Sequence, residues 1–429
     1  MSATALAARE VATRQACGSS APAFPRTGVY FIAQQDLPSA QTLARYDLVV
    51  IDSEWDNRLP RSFFTRIREL NPQVTLLAYA NVVDFRPRLG SPVNWADRYA
   101  FGRFENSVEH DFPRQWLART SEGTVVSEWP ETLMTNLTDQ APRADGQEFA
   151  EYAAEWVAGR VYATGVWDGV FIDVWGDRIY GATEQRWDVD GDGTDEAEAE
   201  IYGPGGPWER GVNATERIMR ERMPDAVLVA NGDRTLRDEQ LDGRVWESFA
   251  DPKVRRSPAQ DLEEYVTLTA EGDHRQPGTA ITINRRRAEP VSGESFRRAR
   301  FFLTATLLQN GYWAPMGAHY GQPAYYDEMD GAGLGRGYLG CSLAPNPTWS
   351  QLQQDFDGRV GRLADGLYRR DFEHGLVLHN VGAQPRTITL ERPYRQLEGT
   401  QDSGTNSGRV VDSVTVPSRD GLILLRAES

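Results

Sequence analysis

Histidine and cysteine are scarce in this chain, with five and two in 429 residues. The cysteines, Cys17 and Cys341, exclude a disulfide-dense scaffold and a zinc cluster built on thiolates. Their spacing does not say whether they pair. Five histidines also leave little material for a metal-dependent esterase or deacetylase. No run of about 18 apolar residues occurs, so no segment reads as a membrane span. Net positive charge is missing too: the formal charge is −16. Such a surface repels nucleic-acid phosphate and anionic lipid, so no nucleic-acid or lipid partner is expected. There is no Gly-x-Ser-x-Gly elbow for a serine hydrolase. No glycine-rich fingerprint follows the first apolar run, which disfavours a dinucleotide-binding fold. Residues 1–25 are rich in Ala, Ser and Thr and lack the basic start and apolar centre of an export signal. They read as a flexible leader, or as what remains after a signal was trimmed.

What is present is a repeated theme. Short apolar runs end in polar or acidic residues, and a helical stretch follows each. The runs are Gly28–Ile32, Tyr46–Asp52, Val74–Tyr79, Asp168–Asp173, Ala226–Asn231, Gly243–Glu247, Gly278–Asn284 and Gly311–Met316. They are almost continuously apolar, as parallel strands buried on both faces are. Between them, Ser62–Leu70 places Phe63, Ile67 and Leu70 on one helical face. Residues 147–162, 214–222 and 296–309 have similar patterns. Eight strands alternating with helices predict a (β/α)8 TIM barrel over residues 26–350. Two excursions interrupt it, at about 85–144 and 175–208, and in a barrel such insertions shape the catalytic face. Within the first, Thr124–Trp129 predicts a small hairpin. From about residue 366 to 429 the runs Gly375–Asn380, Arg386–Leu390, Arg409–Val416 and Gly421–Arg426 are separated by turn residues. They predict a small antiparallel C-terminal β domain.

Barrel enzymes place their chemistry at the C-terminal ends of the strands. Those ends carry Asp52, then Glu54 and Trp55; Asn81 and Asp84; Asp173, then Trp175 and Asp177; Asn231, then Asp233; Glu247; Asn284 with Arg285; and His319 with Tyr320. The set is rich in carboxylates, amides and aromatics. Cleavage of a glycosidic bond needs two carboxyl groups, one to protonate the leaving oxygen and one to act as nucleophile or base. Asp173, at the end of a buried run, is the first catalytic candidate; the competing reading is a loop-capping aspartate. Glu247 is the second, because Trp246 beside it would favour the protonated form of a general acid; a salt-bridged rim glutamate is the alternative. Asn231 would bind a sugar hydroxyl or orient a carboxylate, or else cap a helix. Asp52, Trp55, Asp84, Trp175, Asn284 and Tyr320 complete the expected substrate-binding set. Most aromatics in a barrel are core, but the 12 tryptophans would suit stacking on sugar rings.

A separate signal is Asp188-Val-Asp-Gly-Asp-Gly-Thr-Asp-Glu196. Asp188, Asp190, Asp192, Thr194 and Glu196 alternate, and Gly193 takes the sixth place, as in the start of an EF-hand loop. The twelfth place holds Ala199 instead of glutamate. The reading is either a structural calcium loop or a solvated acidic one, and no cofactor is required for the chemistry.

Tyr46–Asp52, Leu77–Tyr79, Asp168–Asp173 and Tyr325-Tyr-Asp-Glu328 resemble a group of glycosyl hydrolase barrels described as hypothetical families. These are similar to the endo-α-1,4-polygalactosaminidases and the spherulin-type galactosaminogalactan hydrolases. The tail, with Gly375–Asn380 and Asp420–Leu424, resembles the β module that follows such barrels. The resemblance implies catalysis by the aspartate ending strand four and the glutamate ending strand six, here Asp173 and Glu247, with Asn231 close by. The acidic loop has no counterpart in it. The expectation is a secreted or cell-envelope glycoside hydrolase acting on a polysaccharide or oligosaccharide. A non-catalytic carbohydrate-binding barrel, which needs no paired carboxyls, is the alternative.

Overall fold

The computed structural model describes residues 17, 21–32, 36–85, 113–130, 132–179, 181–232, 240–247, 249, 257–272, 274–275, 278–285, 293–316 and 324–427. Eight parallel strands form one sheet in chain order: β1 (Gly28–Phe31), β2 (Leu48–Asp52), β3 (Thr75–Ala80), β4 (Gly169–Ile172), β5 (Val227–Asn231), β6 (Gly243–Glu247), β7 (Thr279–Arg285) and β8 (Tyr312–Met316). A parallel bridge between Thr27 and Trp313 brings the last strand back to the first and closes the barrel. Every predicted run is one of these strands, to within a few residues.

The apolar runs are continuous because both faces are covered. Alternate residues fill the interior, where Tyr30, Leu77, Tyr79, Phe171, Val229, Val245 and Ile283 belong to one packed cluster. The other parity packs outward against the helices. In the helix Arg61–Leu70 the buried positions are Phe64 and Ile67, whereas Phe63 stays half-buried. At Gly169 a Cβ would lie 1.9 Å from the Val227 carbonyl oxygen, so β4 and β5 start together only because that position has no side chain.

The first excursion folds back on the barrel mouth. Asp84–Phe85 pairs antiparallel with Leu133–Met134. Val126 N–H donates to Ala118 O, and Met134 N–H to Val126 O. The hairpin expected at 124–129 therefore has its partner upstream, through the Arg119–Val125 bridge. The second excursion is strapped to the first: Thr183 N–H donates to Ser127 O at 2.9 Å, and Ser127 N–H to Thr183 Oγ1 at 3.1 Å.

A second sheet of six antiparallel strands follows: β9 (Val360–Ala364), β10 (Leu367–Asp371), β11 (Gly375–Asn380), β12 (Arg386–Gln396), β13 (Val410–Val416) and β14 (Asp420–Arg426), in the order β9-β10-β11-β14-β12-β13. Its first two strands precede the run at Gly375; charged side chains interrupt their apolar pattern. The sheet sits on the helix Gly293–Leu307. Arg300 of that helix is buried and pairs with Asp420 at 3.0 Å and Asp402 at 2.6 Å. The Tyr325–Glu328 motif belongs to the same junction. Asp327 Oδ2 accepts from Thr400 and Gln401 N–H, and Glu328 Oε1 accepts from Asn406 Nδ2. Cys17 and Cys341 form a disulfide. Among the described residues no helix is long and apolar enough to cross a membrane.

Candidate active site

Strand parity decides which side chains reach the mouth of the barrel. Phe171, Val229 and Val245 point inward, so Asp173, Asn231 and Glu247, two residues further on, continue the same face. The three meet there. Asn231 Nδ2 donates to Asp173 Oδ1 at 2.8 Å and to Glu247 Oε2 at 3.2 Å. One amide nitrogen therefore joins both carboxyl groups. The Tyr79 hydroxyl, from β3, donates to the other oxygen of Asp173.

The backbone is bent to hold this arrangement. Val174, immediately after Asp173, has φ +54°. A β-branched residue adopts that left-handed conformation only under constraint. The constraint is visible: Trp175 N–H donates to Asn231 O at 2.7 Å. At Gly232 a Cβ would come within 2.5 Å of the Trp175 backbone, so the β5 end and the β4 turn close on each other without room for a side chain. Strain at one carboxylate and close packing at its amide partner fix their relative position.

Burial, then the charge of Glu247, pushes the Asp173 carboxyl up to about 6; donors Tyr79, Asn231 and the Val174 N–H work against that rise. Burial, followed by the Asp173 charge, holds the Tyr79 phenol well above its ordinary range, so Tyr79 remains a donor. Asp173 keeps partial exposure and Glu247 is exposed at the rim. One carboxyl is enclosed by neutral donors and the other faces solvent.

Two of the expected substrate-binding residues, Trp175 and Asn284, point away from the barrel mouth. Trp175 is 1% exposed, and its indole N–H donates to Glu216 Oε1 at 2.7 Å, which makes it a core residue and not a sugar platform. Asn284 has the opposite parity from Ile281 and Ile283; it faces the helices and accepts from Trp313 Nε1 at 2.5 Å. Asp84 is buried and accepts from Asn81 Nδ2 at 2.6 Å, fastening the turn after β3. Asp52 continues the inward face of β2 but lies beneath the surface, where burial pushes it up to about 8. Trp55 is half-buried, with the Arg58 guanidinium 5.5 Å from its ring centre. His319, Tyr320 and Asp233 lie outside the described residues.

One neighbour of the site carried no sequence signal. Glu128, in the first excursion, feels the charges of Asp84 and Asp173. Trp129, next in the chain, is 53% exposed and is an aromatic that the surface offers to solvent. In the second excursion one carboxylate oxygen each from Asp188, Asp190 and Asp192 lies within 4.8 Å of the others. Thr194 contributes its N–H to Asp192. Glu196 does not join them; its Oε2 accepts from Val189 N–H at 2.9 Å.

Residues 68–376 match the hypothetical glycosyl hydrolase family 15. Comparison with curated proteins gives no match. Among solved structures, the fold is similar to the glycoside hydrolase domain of PelA from Pseudomonas aeruginosa, at 15% identity over 68% of this chain and 95% of that one, TM-score 0.41. It is also similar to an Anoxybacillus alpha-amylase, at 10% identity over 90% and 88%, TM-score 0.44. A third is the GH36 alpha-galactosidase AgaA of Geobacillus stearothermophilus, at 12% identity over 94% and 56%, TM-score 0.45.

Proposed function

The chain belongs to the hypothetical glycosyl hydrolase family 15 and is a glycoside hydrolase; on that premise we propose that it cleaves a polysaccharide or oligosaccharide with retention, using Asp173 as nucleophile and Glu247 as acid/base. The observation that carries this reading is the Asn231 amide bound to both carboxyl groups. One amide nitrogen bonds both groups only when they stand close together, and close carboxyl pairs, about 5–5.5 Å apart, go with retention, whereas an inverting enzyme keeps ~6.5–9.5 Å for its water.

The roles follow from the surroundings. Asp173 is enclosed and receives hydrogen bonds on both oxygens, which favour its anion and aim it. Its carboxylate attacks the anomeric carbon while Glu247 protonates the departing glycosidic oxygen, giving a glycosyl ester on Asp173. Glu247, now ionised and open to solvent, takes a proton from water. That water displaces Asp173 and regenerates both groups. Asn231 and Tyr79 contact the reacting carboxylate throughout.

The Cys17–Cys341 disulfide supports a secreted or cell-envelope setting, since such bonds persist in oxidising compartments. Calcium at Asp188, Asp190 and Asp192 would stiffen the second excursion and takes no part in bond cleavage. The test is a screen of polysaccharides for reducing-end release, with and without chelator, followed by proton NMR of the first-formed product. The reading expects release that survives chelator and a retained anomer. An inverted anomer contradicts the assigned roles, and release unchanged in Asp173→Asn removes that residue.

A further inference from the structure

Glu128 is a carboxyl near the pair that the mechanism leaves unused. It comes from the first excursion, at the point where the Ser127–Thr183 hydrogen bonds tie the two excursions together. Its carboxylate accepts from the Gly181 N–H. A Cβ at Gly181 would sit 2.7 Å from Glu128 Oε1, so the second excursion makes room for this side chain by having none of its own. The other oxygen, Oε2, is buried and has no hydrogen-bond partner. No Arg or Lys among the described residues forms a salt bridge with it.

That is an expensive arrangement. A buried acceptor without a donor costs about 1–3 kcal/mol, more when charged, and native structures keep few of them. Two carboxylates add repulsion, Asp84 from the turn after β3 and Asp173 from the end of β4, and the neutral Tyr202 phenol, after the short helix Glu198–Ile201, also feels the Glu128 charge. Burial first, and then the Asp84 and Asp173 charges, push the carboxyl up to about 7. Neither excursion gains a hydrogen bond from this oxygen.

We infer that Glu128, a half-buried residue, binds substrate, its unpartnered carboxylate oxygen turning to accept a hydrogen bond from a hydroxyl of the sugar ring held against Asp173. The sugar supplies the donor that the protein withholds, and the two excursions act together as one wall of the subsite. Rings lacking a hydroxyl at that place leave the oxygen unsatisfied and are rejected. The inference rests on the assignment of the active site to Asp173 and Glu247.

The probes are the piperidine iminosugars 1-deoxynojirimycin and 1-deoxygalactonojirimycin, which carry ring hydroxyls but no bond to cleave. Their binding to the full chain is measured by calorimetry at pH 8, where Glu128 is mostly ionised. For the better binder, Glu128→Gln is expected to weaken affinity about tenfold or more. Glu128→Asp keeps the charge but withdraws the oxygen by one methylene, and is expected to weaken binding to a similar extent. Affinity unchanged in Glu128→Gln overturns the inference. Wild-type affinity in Glu128→Asp also overturns it, because charge alone would then suffice. Loss of binding in Asp173→Asn alongside either result leaves the active site standing and removes only Glu128. Where neither iminosugar binds the wild-type protein, the same comparison is made with the oligosaccharide product of the polysaccharide screen, and product affinity unchanged in Glu128→Gln overturns the inference.

Discussion

Two groups of buried acids sit at different places in this molecule and are treated in different ways. At the junction between barrel and C-terminal sheet, Asp420 and Asp402 are paired with Arg300, and Glu328 lies 3.8 Å from the same guanidinium. At the mouth of the barrel, Asp173 is met by a phenol and an amide, with no salt bridge to a described Arg or Lys. Arg300 meets Asp420 and Asp402 with a cation, whereas Asp173 is met by neutral donors. A carboxylate locked to arginine is stable and poor as a nucleophile. One aimed by neutral donors keeps its charge available to an oxocarbenium-like transition state. For Arg300's partners and Asp173 the difference follows the roles proposed for them, a structural one at the junction and a chemical one at the mouth.

The comparison breaks most visibly if Asp173 is changed. Asp173→Asn is expected to lower sugar release by three orders of magnitude or more, read as kcat/KM. It is also expected to stabilise the fold at high pH. The folded-state pKa is raised from 3.8 to about 6, so the contribution of Asp173 to stability is fully present below pH 3.8 and is lost as pH rises through 6. Removing the charge should restore on the order of 1–3 kcal/mol at pH 8 and nothing at pH 3, measured as a difference in Tm. A variant equally destabilised at both values would place Asp173 among the structural acids.

Arg300→Met is the converse change. It strands Asp420 and Glu328 in the interior and is expected to cost about 3–5 kcal/mol. Near-normal kcat should persist at temperatures where the protein is still folded. Loss of kcat without loss of stability would mean that the junction takes part in the chemistry.

Tyr79→Phe sharpens the comparison at finer scale. It removes a donor that favours the Asp173 anion, so the acid limb of the pH–rate profile should move upward from about 6, by on the order of half to one unit. An unmoved limb would assign it to another group. The smallest effect belongs to the acidic loop. If calcium is held by Asp188, Asp190 and Asp192, chelation should lower Tm by a few degrees, with kcat unchanged. No Tm change on adding calcium or chelator would make it a solvated loop.

The barrel was legible in the sequence because strands buried on both faces write continuous apolar runs. The meeting of Asp173, Asn231 and Glu247 was legible for a related reason: all three end such runs and inherit the inward parity of Phe171, Val229 and Val245. Asn284 breaks that rule. Counting alternately from Ile281 and Ile283 places it on the outer face, where the structure has it. Trp175 lies past the end of its strand, beyond the reach of parity, and only the turn at Val174 shows that its indole enters the core. Glu128 and Trp129 were invisible because an excursion has no periodicity. Their position depends on hydrogen bonds between segments more than fifty residues apart, such as Ser127 with Thr183. The Tyr325–Glu328 motif gave no hint that its acids fasten the second sheet, since their partners are the backbone N–H groups of Thr400 and Gln401 and the Asn406 side chain.

The central claim is that Asp173 bonds covalently to the sugar while Glu247 serves it. The most direct test uses Glu247→Gln, in which release of the glycosyl ester is slowed. This variant is incubated with the 2-deoxy-2-fluoroglycosyl fluoride of the sugar identified in the screen, whose leaving group needs no protonation. Peptide mass spectrometry then locates the label. The account predicts one fluoroglycosyl group on the peptide carrying Asp173, and on that residue. A label on another carboxylate, or no label from an enzyme whose product is the inverted anomer, would contradict it.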